Sequence, residues 1–450
     1  MDQAKLFCKF IDNSPTPYHV VKNCKEEFEK CGFEYLNQSN EWNLKKNKSY
    51  YTTINDSAVI AFSIGGKYEP GNGFIMAGAH TDSPCLMSGK YYLFQNAMLK
   101  ITLKPSPDRF EHTYQMAAVQ TYGGGNWLSW FNRDLILAGR VMHKKNGKIV
   151  ASLLKTGIVG TVPQIAPHLY PDLNNGFKLN KENHLNVILG LNKDNCTITS
   201  IIEKHLKIEE KDILDYELYF SDAQLSSIGG ADDDFIFGPR QDNLIGTFTL
   251  LHALTKAKNL STDNVIRFFA AYDNEEVGSK SVQGANTSIT RNIINRIVTN
   301  FKDKFGLLER TLHNSFLLSV DCGHALHPAH TSYHVYATSP KLNKGPVLKY
   351  NASQAYTTSS IGAAIIKTIA KSNNIMLQEF VNRSDVGGGS TIGPYLSTNL
   401  GVRSVDLGGT QLSMHSIREM CAVNCISSCT DLWKAVYESF STIEIEHLNK

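Results

Sequence analysis

The 450-residue sequence has no unbroken apolar run long enough to cross a bilayer. Its opening, MDQAKLFCKFIDNSPTPYHVV, mixes acids and lysines among its apolar residues, which excludes a signal peptide. Neither charge is in excess. With 45 basic and 42 acidic side chains the formal net charge is +3, so neither a nucleic-acid nor a membrane-surface partner is indicated. Paired cysteine frameworks are missing as well. The cysteines number 9, an odd count, and lie scattered, as expected for reduced thiols in a cytoplasmic protein. No G-x-S-x-G elbow occurs, which argues against a serine hydrolase. The glycines of YGGGNW precede no Lys-Ser/Thr pair, so no phosphate loop is supported. Internal repeats and low-complexity tracts are absent.

What remains is a chain 42% hydrophobic, long enough for a large core and more than one domain. SPTPYHVVKNCKEEFEKCGF reads as a helix stopping at Gly32. AVIAFSIGG and GFIMAGAHTD read as strands, the second apolar enough to be buried on both faces. From about Met87 to Ala231 the texture changes to alternating segments, with Asn146-Gly147 as a hairpin signal. Helix and strand patterns then alternate again: DNLIGTFTLLHALTKA, NVIRFFAAYD, SFLLSVDCG, SSIGAAIIKTIAKSN and GVRSVDLGG. This order predicts an α/β fold with a mostly parallel sheet sandwiched by helices. The expected division is 1–86 and 232–450 for one α/β catalytic domain, interrupted by a smaller β-rich domain at 87–231. Cys421, Cys425 and Cys429 recur every four residues, a spacing that predicts one packed face of a C-terminal helix.

Three of the apolar strands end in side chains able to bind metal: His80 with Asp82, Glu275 with Glu276, and Asp321. In open α/β sheets ligands bind beyond the carboxyl ends of the strands, so these residues should meet on one rim. Asp242, opening a predicted helix, and His415, after the last strand, can reach the same rim. His80, Asp242, Glu276, Asp321 and His415 supply two imidazoles and three carboxylates, a donor set that suits Zn²⁺, with Co²⁺ or Mn²⁺ as substitutes. One shared carboxylate, with one imidazole and one private carboxylate for each ion, would give two metals three protein ligands apiece and an open position for water. Asp82 fits the carboxylate that fixes the tautomer of a ligating imidazole. Adjacent residues on a strand face opposite ways, so Glu275 and Glu276 can share one site only if the strand ends before them. In a turn, Glu276 can bind metal while Glu275 serves as general base. The histidines His324, His327 and His330 come after the strand-terminal Asp321 and are expected to hydrogen-bond or line a pocket wall.

The motifs GAHTDSP, RQDNL, DNEEVGS, SVDCGHALHP, GSTIGP and QLSMHSIRE occur in that order. With SPTPYH and TYGGGNWLSWFNRDLILAGRV, they resemble the motif set of the aspartyl aminopeptidase family of dinuclear zinc exopeptidases, over nearly the whole chain. The resemblance implies a phosphorylase/hydrolase-like catalytic domain and an inserted β-rich domain used for assembly. It further implies removal of single N-terminal residues, often acidic, by a tetrahedral dodecamer. By position, it implies metal ligation by His80, Asp242, Glu276, Asp321 and His415, with Asp242 bridging, Glu275 as base and Asp82 orienting an imidazole. It also implies substrate contacts from His168, Lys349 and Tyr356, with Lys349 reading an acidic side chain. Alternatives of other kinds are an aminopeptidase of neutral or apolar preference, another two-metal hydrolase such as a phosphatase, and a non-catalytic assembly protein.

Overall fold

The computed structural model of the protein describes residues 1–88, 108–111, 113–191 and 196–443. They form two compact units. The first comprises Met1–Ser83, Ser226–Met414 and Glu419–Lys450; the second comprises Pro84–Leu225 and His415–Arg418.

The first unit is built on a nine-stranded sheet. In chain order its strands are β1 (Glu34–Tyr35), β2 (Ser49–Ile54), β3 (Ala58–Ile64), β4 (Phe74–His80) and β5 (Ile266–Tyr272), then β6 (Phe316–Val320), β7 (Val347–Tyr350), β8 (Gln378–Val381) and β9 (Arg403–Gly408). Across the sheet they run β1-β2-β3-β5-β4-β6-β9-β7-β8. Its centre, β5-β4-β6-β9, is wholly parallel. Antiparallel joins occur at β2-β3, β3-β5 and β9-β7, which makes the sheet mixed but mostly parallel.

Every residue of β3, β4 and β5 is buried, as expected of strands covered on both sides. On β4, Ile75, Ala77 and Ala79 enter one core, and Phe74 and Met76 the other. Helices α1 (Asp2–Asn13), α2 (Pro17–Lys30) and α3 (Gln241–Lys256) pack on the first side; α4 (Ile289–Phe301) packs on the second. Helix α5 (Ser360–Ser372) joins the first side, α6 (Ile392–Leu400) the second, and α7 (Val423–Ser439) the first again. Gly78 of β4 seats α6, because a Cβ there would lie 3.1 Å from Ile392 Cδ1. The deepest anchor of α7 is Trp433, fully buried, whose Nε1 donates to Thr249 Oγ1 on α3 at 3.0 Å.

The cysteine spacing is only partly helical. Cys425 and Cys429 lie on α7 with sulfurs 3.9 Å apart, whereas Cys421 belongs to the strand Glu419–Ala422 just before it. All three are buried in the apolar core. Glu419–Ala422 is part of a small five-stranded sheet with Ser227–Gly229, Phe235–Gly238, Thr410–Leu412 and Gly323–His324.

In the second unit, the strand pairings among the described residues are antiparallel, with one isolated parallel bridge between Phe131 and Val162. Leu135–Lys145 and Lys148–Gly160 form a long hairpin, turning through Asn146 and Gly147 at positive φ of 51° and 74°. Ile213–Asp222, Cys85–Ser88 and Val119–Tyr122 complete that sheet. Trp127, Trp130, Leu137, Leu218 and Phe220 fill its core, together with Ile198 and Ile202 of a short helix.

Candidate metal centre

The carboxyl ends of β4, β5 and β6 lie side by side, since the three strands are parallel. His80 is the last residue of β4, Asp321 follows β6, and the two glutamates follow β5. The strand ends at Tyr272, so Glu275 and Glu276 fall in a single 3₁₀ turn, Glu275–Val277. Asn274 enters that turn at φ 62° and Gly278 leaves it at φ 92°, left-handed conformations that Asn and Gly tolerate best. This turn lets neighbouring carboxylates face one site.

Asp82 holds the turn. Its Oδ1 accepts the Glu275 N–H at 3.1 Å and its Oδ2 the Glu276 N–H at 3.0 Å. The same residue faces His80: its carbonyl oxygen lies 3.0 Å, and Oδ1 3.4 Å, from Nδ1. A carbonyl can only accept, so the Nδ1 proton is fixed there and Nε2 carries the lone pair. Nε2 in turn lies 3.5 Å from Asp242 Oδ1, 3.6 Å from Asp321 Oδ1 and 3.9 Å from Glu275 Oε2. Ligand atoms of His80, Asp242 and Glu276 all fall within 4.8 Å of one another.

Asp242 is aimed by its surroundings and not by a helical backbone. At the start of α3 it has non-helical φ/ψ of −81°/110°. Its N–H donates to Glu419 Oε2 at 3.1 Å, and its carbonyl accepts Ser83 Oγ–H at 2.6 Å. The next residue, Asn243, donates through Nδ2 to the Val320 carbonyl at 2.7 Å, tying the segment to the end of β6. Asp321 is set by a close approach, since a Cβ on Gly408 of β9 would lie 1.9 Å from its carbonyl oxygen. Glu419, Ser83 and Asn243 escaped the reading of the sequence. Each acts through a partner many residues away, and none of the motifs' spacing signals such a bond.

Charge makes this a place for cations. Burial opposes a charge on His80, yet its contacts with Asp242, Asp321 and Asp82 hold its pKa well above the usual imidazole range. For Glu275, burial pushes the carboxyl up to about 8; His80 works against the rise, and Asp321, Asp82 and Asp242 add to it. A buried imidazole edge facing several carboxylates draws a positive charge to Nε2, and a proton or a metal ion can provide it. The oxygen and nitrogen donors present fit zinc.

Of the remaining sequence candidates, Lys349 borders this cluster and each of the others has its place within its own unit. Lys349, on β7, is buried, with Nζ 3.4 Å from Asp321 Oδ2 and donating to the Cys322 carbonyl at 3.0 Å. Its ammonium lies 5.0 Å from the centre of the Tyr356 ring. His168 is exposed in a loop of the second unit. His415 also belongs to the second unit, at φ 64°, where its Nδ1 lies 3.0 Å from the Gly124 carbonyl. Its segment is anchored there by Arg418, which meets Asp222 Oδ2 at 2.9 Å beside Arg133 at 2.7 Å. Of the three histidines after Asp321, His324 and His327 line a cavity, and His330 is exposed with its ring 4.7 Å from that of His327.

A sequence model of the family described as aminopeptidase I zinc metalloprotease (M18) matches residues 10–437. Aspartyl aminopeptidase 1 of Schizosaccharomyces pombe is 37% identical over 471 residues, covering 97% of this chain and 95% of that protein. Among solved structures, one of the Ape4 and Nbr1 complex superposes with a TM-score of 0.92 at 35% identity, over 99% of this chain and 88% of that one. The S. cerevisiae mApe1 dodecamer gives 0.83 at 26% identity, over 98% and 97%.

Proposed function

Since the chain belongs to the aminopeptidase I zinc metalloprotease family and is a peptidase, we propose that it removes single residues from the free N-terminus of peptides, with a preference for aspartate and glutamate. The observation that carries the site assignment is the buried His80 imidazole with Asp242, Asp321 and Glu275 oxygens 3.5 to 3.9 Å from Nε2. We assign His80, Asp242, Glu276, Asp321 and His415 as protein ligands of two zinc ions, with Asp242 shared. Bound there, the ions would supply Lewis acidity toward the scissile carbonyl and would lower the pKa of water toward ~7.

Glu275 is the general base. Its carboxylate takes the proton from the attacking water as the new C–O bond forms, then passes it to the amine nitrogen as the C–N bond breaks. Burial raises the pKa of its carboxyl in the metal-free protein, and cations bound beside it would draw that pKa back down, keeping the carboxylate ready to accept a proton. Asp82 is the positioning residue for this pair: it sets the His80 tautomer and clamps both glutamate amides. Lys349 and Tyr356 are assigned to the substrate's first side chain, with an acidic one pairing with the Lys349 ammonium in competition with Asp321. His168 is assigned to substrate contact from a neighbouring copy in a tetrahedral dodecamer, an assignment for which the solved mApe1 dodecamer supports the subunit number alone.

The direct test is a panel of fluorogenic aminoacyl substrates assayed with zinc, cobalt or manganese. Release from Asp and Glu conjugates that disappears on chelation and returns with metal is expected. Turnover confined to Leu or Ala conjugates would overturn the acidic preference, and phosphoester turnover without peptide turnover would overturn the reaction class.

A further inference from the structure

We infer that the cavity lined by His324, His327, His334, Phe380 and Val386 receives an aromatic or large apolar side chain, that of the peptide's second residue, just beyond the bond to be cut. This rests on the peptidase reading above and extends it to a second subsite.

The cavity measures about 220 Å³ and lies wholly within the first unit. Ala325, Phe380, Val381, Leu412 and Met414 give it an apolar lining, while Asn382 Oδ1 and Gln411 Oε1 are buried oxygens that accept no hydrogen bond from the described residues. Among the described lining residues Arg383 is the one cation, and its Nε and Nη2 donate to the two Asp385 oxygens at 2.8 and 2.6 Å. The Ala329 N–H donates to His327 Nδ1 at 3.2 Å, and the His327 N–H donates to His334 Nε2 at 3.2 Å. The lone pairs of His327 Nδ1 and His334 Nε2 are thus occupied by backbone donors. Burial, with His327 alongside, also pushes His334 below the usual imidazole range. A carboxylate entering here meets a guanidinium already paired and the unpartnered oxygens of Asn382 and Gln411. A ring or branched apolar chain meets the faces of Phe380 and the imidazoles.

Its place beside the first subsite follows from one shared ring. Phe380 lies 6.3 Å from His324, which also lines the cavity, and 6.5 Å from Tyr356, which does not, centroid to centroid. Tyr356 is the ring under the Lys349 ammonium, itself 3.4 Å from Asp321. The cavity is therefore one aromatic wall away from the pocket assigned to the first residue. Consecutive residues of a peptide, with Cα atoms about 3.8 Å apart, can fill two such adjoining pockets.

The test compares Asp-Phe-Ala with Asp-Ala-Ala on the zinc-loaded enzyme, by release of free aspartate. The same pair is titrated calorimetrically into the Glu275→Gln variant. Expected are a kcat/KM and an affinity at least about tenfold higher for the Phe peptide, the scale of discrimination in an apolar pocket. Val386→Trp, which fills the cavity from an accessible loop, should bring both ratios close to one through loss on the Phe peptide. Equal constants for the two peptides in the unsubstituted cavity would overturn the assignment, as would ratios that survive Val386→Trp. A calorimetric contrast without turnover of either peptide would sink the peptidase reading alone and leave the pocket standing.

Discussion

Asp82 shows how much a single side chain sets in this site. It holds the amides of Glu275 and Glu276 with its two carboxylate oxygens while facing Nδ1 of His80. Its pairing with an imidazole was legible from a two-residue spacing, but its grip on the glutamate turn was not, because that bond spans the chain from β4 to the end of β5. Asp82→Asn offers one acceptor where two amides need one each. Zinc affinity, measured by chelator competition, should therefore fall about ten- to a hundredfold; unchanged affinity would remove Asp82 from the positioning role. Lys349 is the second residue whose burial changes its meaning. Its ammonium lies 3.4 Å from Asp321 Oδ2, so it bears on the centre as well as on the proposed substrate contact. Lys349→Met should lower kcat/KM on Asp-leading peptides by about ten- to a hundredfold, the range of one charge-assisted hydrogen bond. Leu-leading peptides should lose much less. An equal loss on both would mean that Lys349 acts only by restraining Asp321.

Strands β3 to β6 could be read from sequence because each is a nearly continuous apolar run, and helices α3 and α5 because their periodicity is clear; β9 could be read although its RSVDLG is not such a run. The short strands toward the end of the sheet could not. Strand β7 carries Lys349 in a four-residue span, and β8, Gln378–Val381, is only partly buried, so neither shows a period. Cys421 was misplaced onto a helix because a four-residue spacing does not show where a strand hands over to α7. Helix α3 carries its own pH sensitivity. His252 packs its ring 4.3 Å from the centre of Phe248, and burial, with Lys256 nearby, lowers its pKa to about 4 from an ordinary value of 6.5. Above 6.5 both folded and unfolded chains leave it neutral. As pH falls from 6.5 toward 4 the unfolded chain binds the proton first, so stability is lost across that window. His252→Phe should flatten the melting temperature of the metal-free protein between those values; an unchanged slope would assign the acid sensitivity to other groups. At the α3–α7 contact, Trp433→Ala should cost about 3–5 kcal/mol in denaturant unfolding, the usual range for emptying a buried aromatic site.

At the scale of the whole molecule, the α/β class followed from the alternation of strands and helices, the two-metal donor set from acids and imidazoles placed where parallel strands end, and the peptidase reading from the resemblance of the ordered motifs. Assembly left no such trace in composition or periodicity. The proposed association predicts, by native mass spectrometry, a particle of twelve times the 50.0 kDa chain mass, and a monomer under the same conditions would contradict it. The account as a whole stands on the division of labour between two adjacent carboxylates at one metal-binding rim. It is tested most directly by measuring bound zinc per chain alongside turnover in Glu275→Gln and Glu276→Gln. The prediction is full zinc with lost turnover in the first, and zinc reduced toward one ion per chain in the second. Zinc lost from Glu275→Gln and retained by Glu276→Gln would contradict it.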